Sequence, residues 1–422
     1  MRVKFQLTLL GAAMMASSIA QANGESEIAQ LRQEVQELRQ LVQQYTEQQR
    51  LNQYKVQAPQ ESITAPSLAE QKKASALAMT VGGAELKIYG NVRADAGYQF
   101  QGGPDSRPYN QIANVALDGD PSQSDRLKTT LGATRLGLDF VAPVQDAKVA
   151  GKLEVDFLGS NDALRIRHAY LTYNDWLVGQ TWSNFATPDY IPDTVDALTY
   201  TGGSIKRTPQ VRHTHTFNPK SNVVVALEDP RDSSSNMRLP ALTARFNHQV
   251  LDQMQVGLRA MVNEKRTNAD TSTAWGIGLG TKLDLTEKTT LKADYYHVKG
   301  DSSFVLSSNA GFAQDADKNI VDENEFDSII LGITQKFNPQ WRGTLGFGYM
   351  KADENDNYLT YATGNLNKEL WQTWANVFYQ PVKPVALGLE YTIGERETFK
   401  TPSQNSRSGD DQRVNMVAIY NF

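Results

Sequence analysis

LRIRHAYLTYNDWLVGQTWSNFATPDYIPDTVDALTYTGG, residues Leu164 to Gly203, decides how the chain folds. Two short alternating runs joined by Asn174 and Asp175 give way to about twenty residues with neither a helical nor a strand period. An unpatterned segment of that length inside a compact fold is usually functional or disordered. Runs of strand length flank it on both sides, in a chain with almost no buried-core pattern. The reading that fits is a loop, residues 183–204, folded into the mouth of a membrane β-barrel and narrowing its pore.

The flanks support this. From residue 84 onward apolar residues recur every second position. In Ala84 to Phe100 one parity carries Leu86, Ile88, Val92, Ala94, Ala96, Tyr98 and Phe100, and the other Glu85, Lys87, Asn91, Arg93, Asp95 and Gln99. Such a run presents one face to lipid or core and the other to water. Similar runs are expected near 84–100, 125–140, 147–158, 163–173, 176–182, 205–217, 222–229 and 239–247. The rest lie near 253–264, 274–285, 289–299, 326–337, 341–352, 369–380, 385–396 and 412–422. Short connections such as Asn174-Asp175, Asn218–Ser221 and Asn338–Gln340 alternate with long polar ones such as 101–124, 300–325 and 352–368. Short turns on one side and long loops on the other mark an outer-membrane barrel, the short side being periplasmic. A soluble β-sandwich has no reason to alternate so regularly. The fold class predicted is all-β, a 16-stranded antiparallel transmembrane β-barrel over residues 84–422.

Aromatic spacing agrees. Trp371 and Tyr379, and Trp341 and Tyr349, share strand faces eight residues apart. At roughly 3.3 Å per residue each pair spans about 20–26 Å, close to the height of the apolar band between two interfacial girdles. The final run Val414, Met416, Ala418, Tyr420, Phe422 ends on an aromatic residue. It resembles the C-terminal signal read by the barrel-insertion machinery of the outer membrane.

Residues 1–22 read as a signal peptide: Arg2 and Lys4, an apolar run from Phe5 to Ala16, and Ala20-Gln21-Ala22 as the cleavage site. In residues 23–52, Ile28, Val35 and Val42 with Leu31, Leu38 and Tyr45 form an a/d seam. That predicts a short N-terminal periplasmic coiled-coil helix, with a lone amphipathic helix on a surface as the alternative. β-Branched residues at a and Leu at d favour two strands by peptide rules. Residues 53–83, with Pro59 and Pro66, read as a linker.

Composition narrows the function. The formal charge of −5 argues against a general nucleic-acid partner, and an exported chain with no cysteine must gain stability from something other than disulfides. Charges on the lipid face of a barrel cost about 2–4 kcal/mol near the midplane, so most long cations must face the lumen. Arg93, Arg135, Arg165, Arg167, Lys206, Arg212, Arg245 and Arg259 are the candidate substrate-binding, pore-lining residues. Some will pair across the wall. Arg165 and Arg167 stand two apart on one strand, and paired guanidinium forks suit a dicarboxylate. Asp189, Asp193 and Asp196 are the constriction-loop candidates; opposite an arginine ladder they would set a transverse field. Calcium is the alternative, but no D-x-D-x-D-G spacing appears. His213 and His215 share a strand face without a third ligand nearby, and no G-x-S-x-G, H-E-x-x-H or P-loop pattern is present. No catalytic residue, metal or cofactor is assigned.

HAYLTYNDWLVGQTWSNF (His168–Phe185) followed by PDTVD (Pro192–Asp196) resembles the DcaP family of outer-membrane porins. YGNVRADAGY (Tyr89–Tyr98), GKLEVDF (Gly151–Phe157) and QVRHTHTF (Gln210–Phe217) are similar to its strands, with departures at Ile166 and His213. The resemblance implies a sixteen-stranded homotrimer, a third loop folded inwards, and diffusion of small anionic solutes such as dicarboxylates. It carries Arg93, Arg165, Arg167 and Arg212 over as pore-lining cations, and Asp193 and Asp196 as loop residues. The expected function is thus a passive porin in outer-membrane lipid. The rivals are a structural barrel tethering the envelope through its coiled coil and a barrel-embedded hydrolase.

Overall fold

The computed structural model describes residues 77–81, 83–103, 107–118, 121–144 and 147–422. The expected signal peptide (1–22), coiled coil (23–52) and most of the expected linker (53–83) lie outside these residues. The end of that linker is a strand: β1 (Leu77–Val81) pairs antiparallel with the start of β2 (Ala84–Gln101), Leu77 opposite Ile88.

The wall continues through β3 (Arg126–Thr130), β4 (Arg135–Val144), β5 (Ala147–Asp156), β6 (Arg165–Tyr173), β7 (Trp176–Trp182), β8 (Arg207–Asn218) and β9 (Ser221–Glu228). Next come β10 (Ala241–Leu251), β11 (Met254–Arg266), β12 (Thr271–Thr286) and β13 (Thr289–Lys299). The short hairpin β14 (Phe312–Gln314) and β15 (Ile320–Glu323) lies outside the wall. β16 (Glu325–Lys336), β17 (Trp341–Ala352), β18 (Asn367–Val382), β19 (Val385–Thr398) and β20 (Ser408–Asn421) complete it.

Neighbouring wall strands pair antiparallel, β2 with both β3 and β4, and β20 returns to β2 with Met416 opposite Ala96, which closes the sheet. Closure removes the free edge that a membrane would leave unsatisfied. β3 and β4 are two halves of one crossing. β3 pairs with Asp95–Gln99 and β4 with Glu85–Asn91 of the same strand. Between them a turn closes Thr134 N–H onto the Leu131 carbonyl, and Arg93 N–H goes to Thr134 Oγ1 instead of to the ladder. The expected single strand at 125–140 is therefore broken; with β3 and β4 taken as one crossing and the short β1 left out, the wall has sixteen strands.

Alternation sets the two faces. Leu127, Val178, Leu279, Leu345 and Leu389 point outwards and are exposed, as a lipid-facing belt requires. The aromatic spacing resolves into two registered pairs: Trp341 stacks on Tyr379 at one end of the β17–β18 ladder, and Tyr349 faces Trp371 at the other. The C-terminal Phe422 exchanges two backbone hydrogen bonds with Gly90, 3.1 and 3.0 Å, and lays its ring where any side chain on Gly90 would stand.

The long loops are not featureless. Residues 300–325 hold the β14–β15 hairpin, and residues 352–368 hold a helix, Asp356–Tyr361, whose N-cap Asn355 accepts the Tyr358 N–H at 3.1 Å. These elements bury Phe304, Tyr358, Leu359 and Phe399 against Phe326, Leu370 and the loop residue Phe185. The interior is thus packed at the extracellular end, while the wall itself has water or lipid on its faces.

Candidate functional site

The site is the lumen where residues 183–206 enter it. Three glycines let the loop lie flat on the wall. Gly257 and Gly280 are cross-strand partners, and a Cβ on either would collide with the ring of Tyr190. Gly202 has φ +82° and sits against the Ile329 carbonyl, a close approach only glycine tolerates.

Wall side chains then fasten the loop in order round the barrel. Glu228 on β9 accepts the Asn184 N–H at 2.9 Å. Arg245 on β10 holds Asp189 at 2.8 Å and Thr187 at 3.1 Å. Arg259 on β11 donates to the Phe185 carbonyl, the Tyr296 hydroxyl and Asp294. Lys292 on β13 donates to the Ile191 carbonyl at 3.0 Å, and Arg342 on β17 meets Asp193 at 3.3 Å. Glu390 on β19 is the strongest anchor: it accepts from Val195 N–H (2.9 Å), Asp196 N–H (3.1 Å) and the Tyr200 hydroxyl (2.7 Å). Arg413 on β20 faces Asp196 at 3.4 Å, and Arg93 on β2 donates to the Val195 carbonyl at 2.6 Å. Lys206 closes the loop base by donating to the Ser303 carbonyl.

The three loop acids are therefore taken up by wall cations on the loop's own side: Asp189 by Arg245, Asp193 by Arg342, Asp196 by Arg413. They brace the loop, which differs from the transverse field expected of them. Burial pushes the Asp196 carboxyl up to about 7, against the lowering effect of Arg413. The stabilisation carried by the raised carboxyl is full below the ordinary value of 3.8 and is lost as pH rises through about 7. Open-channel noise is thus expected to be greater at pH 8 than at pH 5, and Asp196→Asn to remove the difference; noise independent of pH in the wild type contradicts it.

Arg165 and Arg167 stand on β6, among strands to one side of this run of anchors. Register places Arg135 of β4, Asp156 of β5 and Arg165 of β6 in one cross-strand row. Asp156 accepts two hydrogen bonds from Arg165, 2.9 and 2.7 Å, and one from Arg167 at 3.0 Å; Glu154 takes Arg167 at 2.5 Å. A register shift on β6 brings Arg167 and His168 to the same face as Arg165. His168 leans on Trp182 and bonds Thr181 at 3.0 Å. Arg207 lies over the same Trp182 ring at 4.4 Å, and Arg167 at 5.9 Å. The like charges of Arg167, Arg165 and Arg135 all act on Arg207.

Four guanidiniums thus gather around two carboxylates. The Arg135 side chain makes no hydrogen bond or ion pair among the described residues, and Arg207 forms no ion pair there. The carboxylates pair with Arg165 and Arg167; the Arg165 side chain remains 35% exposed and that of Arg167 5%. Arg259, by contrast, is fully buried at 0% and holds the loop instead of facing the channel. Arg93 and Arg245 serve the same end, and Arg93 is also paired with Asp95 at 2.6 Å. Arg212 stands half-buried on β8 opposite Leu177 and Ala226. His213 and His215 pack on the outward Trp176 and Phe217, so they belong to the interfacial belt.

Sequence reasoning missed three contributors. Arg207 adjoins the loop rather than a clean strand pattern, so parity did not select it. Glu390 was legible as an inward acid, but its grip on the loop backbone is a long-range contact. Arg413, next to the outward Val414, has inward parity, but nothing local marks it as a partner of the loop.

Comparison with known proteins fits this geometry. The model of the DcaP outer membrane protein family matches residues 15–422. The chain belongs to the DcaP outer-membrane protein family. The crystal structure of the outer membrane channel DcaP of Acinetobacter baumannii is 37% identical, covering 81% of this chain and 99% of that one, with a TM-score of 0.73. More distant likenesses concern the fold alone. The anion-selective porin of Comamonas acidovorans is 10% identical over 80% of this chain and 100% of its own, TM-score 0.57. OmpT of Vibrio cholerae in its trimer form is 13% identical over 81% and 100%, TM-score 0.55. Comparison with curated proteins returned no match. As a DcaP-family barrel the protein is an outer-membrane channel of a Gram-negative bacterium, not an enzyme.

Proposed function

We propose that this DcaP-family channel passes small anionic solutes, dicarboxylates foremost, by passive diffusion past an arginine-lined constriction. The observation that carries the reading is the Arg135–Arg165–Arg167–Arg207 group, in which four cations meet only Glu154 and Asp156. A confined excess of positive charge raises the local concentration of anions, and paired guanidinium forks match two carboxylates on one small molecule. Arg165 and Arg167, held side by side by Asp156, each keep one terminal amino group, Arg165 Nη1 and Arg167 Nη2, for such a solute. The loop sets the size limit, since its anchors fix it against the wall.

The assembly we infer is a homotrimer, as in the trimer form of OmpT, carrying a periplasmic N-terminal coiled coil on an exported, leader-cleaved chain. Single-channel recording of the purified protein in a planar bilayer tests the transport reading. Succinate is expected to block the current in a concentration-dependent manner, and a neutral solute of equal size to leave it open. Charge reversal of Arg165 that leaves succinate block unchanged would sink the dicarboxylate assignment.

A further inference from the structure

A second arginine site lies at the extracellular mouth. A cavity of about 450 Å³ is lined there by Asn114, Ser308, Asn309, Asn365, Asn367 and Arg396. These residues come from the loop after β2, the loops leading to β16 and β18, and the end of β19. Arg396 is 7% exposed, and its three hydrogen bonds all go to neutral acceptors: Asn367 Oδ1 at 2.6 Å, the Val115 carbonyl at 2.9 Å and the Asn365 carbonyl at 3.1 Å.

That is unlike the other buried arginines. Arg93, Arg259 and Arg413 each face a carboxylate, whereas among the described residues no acid pairs with Arg396. The charge that acts on it is the like charge of Arg407, which is itself bound to Asp118 at 2.5 Å. A buried cation without a counter-ion is unfavourable, and the structure supplies the missing partner's place: the cavity that Arg396 lines. A guanidinium has five N–H donors, so two remain after the three bonds. The side-chain amides of Asn114 and Asn365, which make no hydrogen bond among the described residues, are donors of the kind that complete an oxyanion's shell, while those of Asn309 and Asn367 already donate to the Asn367 and Ala113 carbonyls.

We infer that this cavity is an outer capture site for a carboxylate-bearing solute, with Arg396 as the binding cation. A solute entering from outside meets it before the constriction, so the channel holds two anion stations in series. The inference deepens the anion-channel reading and rests on it for the class of ligand.

The test uses the full-length protein in a planar bilayer, inserted from one side, with succinate added to either compartment. Asn114→Asp is the decisive variant. The Asn114 side chain is exposed at the rim and makes no hydrogen bond among the described residues, so the substitution adds a competing carboxylate and leaves all three Arg396 bonds intact. The rate of block from the extracellular side is expected to fall several-fold, with block from the periplasmic side much less changed. Arg396→Gln should show the same asymmetry, its folding checked by the heat-modified shift of the barrel on a gel. Extracellular block at the wild-type rate in Asn114→Asp overturns the capture site alone. Wild-type channels that succinate does not block from either side overturn the capture site and the anion reading together.

Discussion

Glu390→Ala is expected to free the constriction loop and widen the channel. One buried carboxylate holds two loop N–H groups and the Tyr200 hydroxyl, and also accepts from Asn376 at 3.0 Å. Hydrogen bonds to a charged group contribute about 1.5–3 kcal/mol each, and a donor left buried without an acceptor costs about 1–3 kcal/mol. Losing three at once weakens the loop's seat by several kcal/mol, at the point where Val195 and Asp196 turn back along the wall. Tyr200 also stacks on Trp374 with ring centroids 4.4 Å apart, so the far arm keeps part of its hold. The variant should therefore conduct more, flicker between levels, and admit neutral sugars that the wild type excludes. Glu390→Gln, which keeps an acceptor oxygen without the charge, should fall between the two. An unchanged size limit in Glu390→Ala means that the remaining anchors suffice and that this carboxylate is not the principal one.

The second large effect is on selectivity. Arg135 takes part in no ion pair among the described residues, so Arg135→Glu removes a lumenal cation and adds an anion without breaking a bond that the fold depends on. The group of four guanidiniums and two carboxylates then becomes three of each. Local potentials of a few kT change ion concentrations by roughly an order of magnitude, and the preference for anions should fall by about tenfold or vanish. Arg259→Leu is the contrasting case. It strands Asp294 in a dry interior, and breaking such a pair costs about 3–5 kcal/mol. Its barrel should melt at a lower temperature while the folded fraction keeps its selectivity. If Arg259→Leu shifts selectivity and Arg135→Glu does not, the assignment of lining and bracing arginines is reversed.

The difference between these two arginines shows what the sequence could reveal. Both sit at inward parity on strands, and period-two alternation says only that a side chain faces inwards. Whether it reaches water depends on what covers it, and Arg259 is covered by Phe185, a residue more than seventy positions away. The barrel was legible because its rules are local: alternation, turn length, and aromatic spacing recur strand by strand. The Trp341–Tyr379 and Tyr349–Trp371 pairs follow from those rules without any long-range knowledge. The loop was legible as an exception to them. Its partners were not, because Glu390 and Arg413 come from strands at the far end of the chain. Arg207 escaped for a local reason: it is the first residue of β8, opposite Trp182, where the loop interrupts the alternation.

The zero-current potential of the wild-type channel across a potassium chloride gradient tests the central claim most directly. An arginine-lined constriction predicts a potential whose sign reports chloride crossing more readily than potassium, weakening as ionic strength rises and the exposed charges are screened. A potential of the opposite sign, with potassium preferred, would mean that the loop acids govern the pore and the guanidinium group does not.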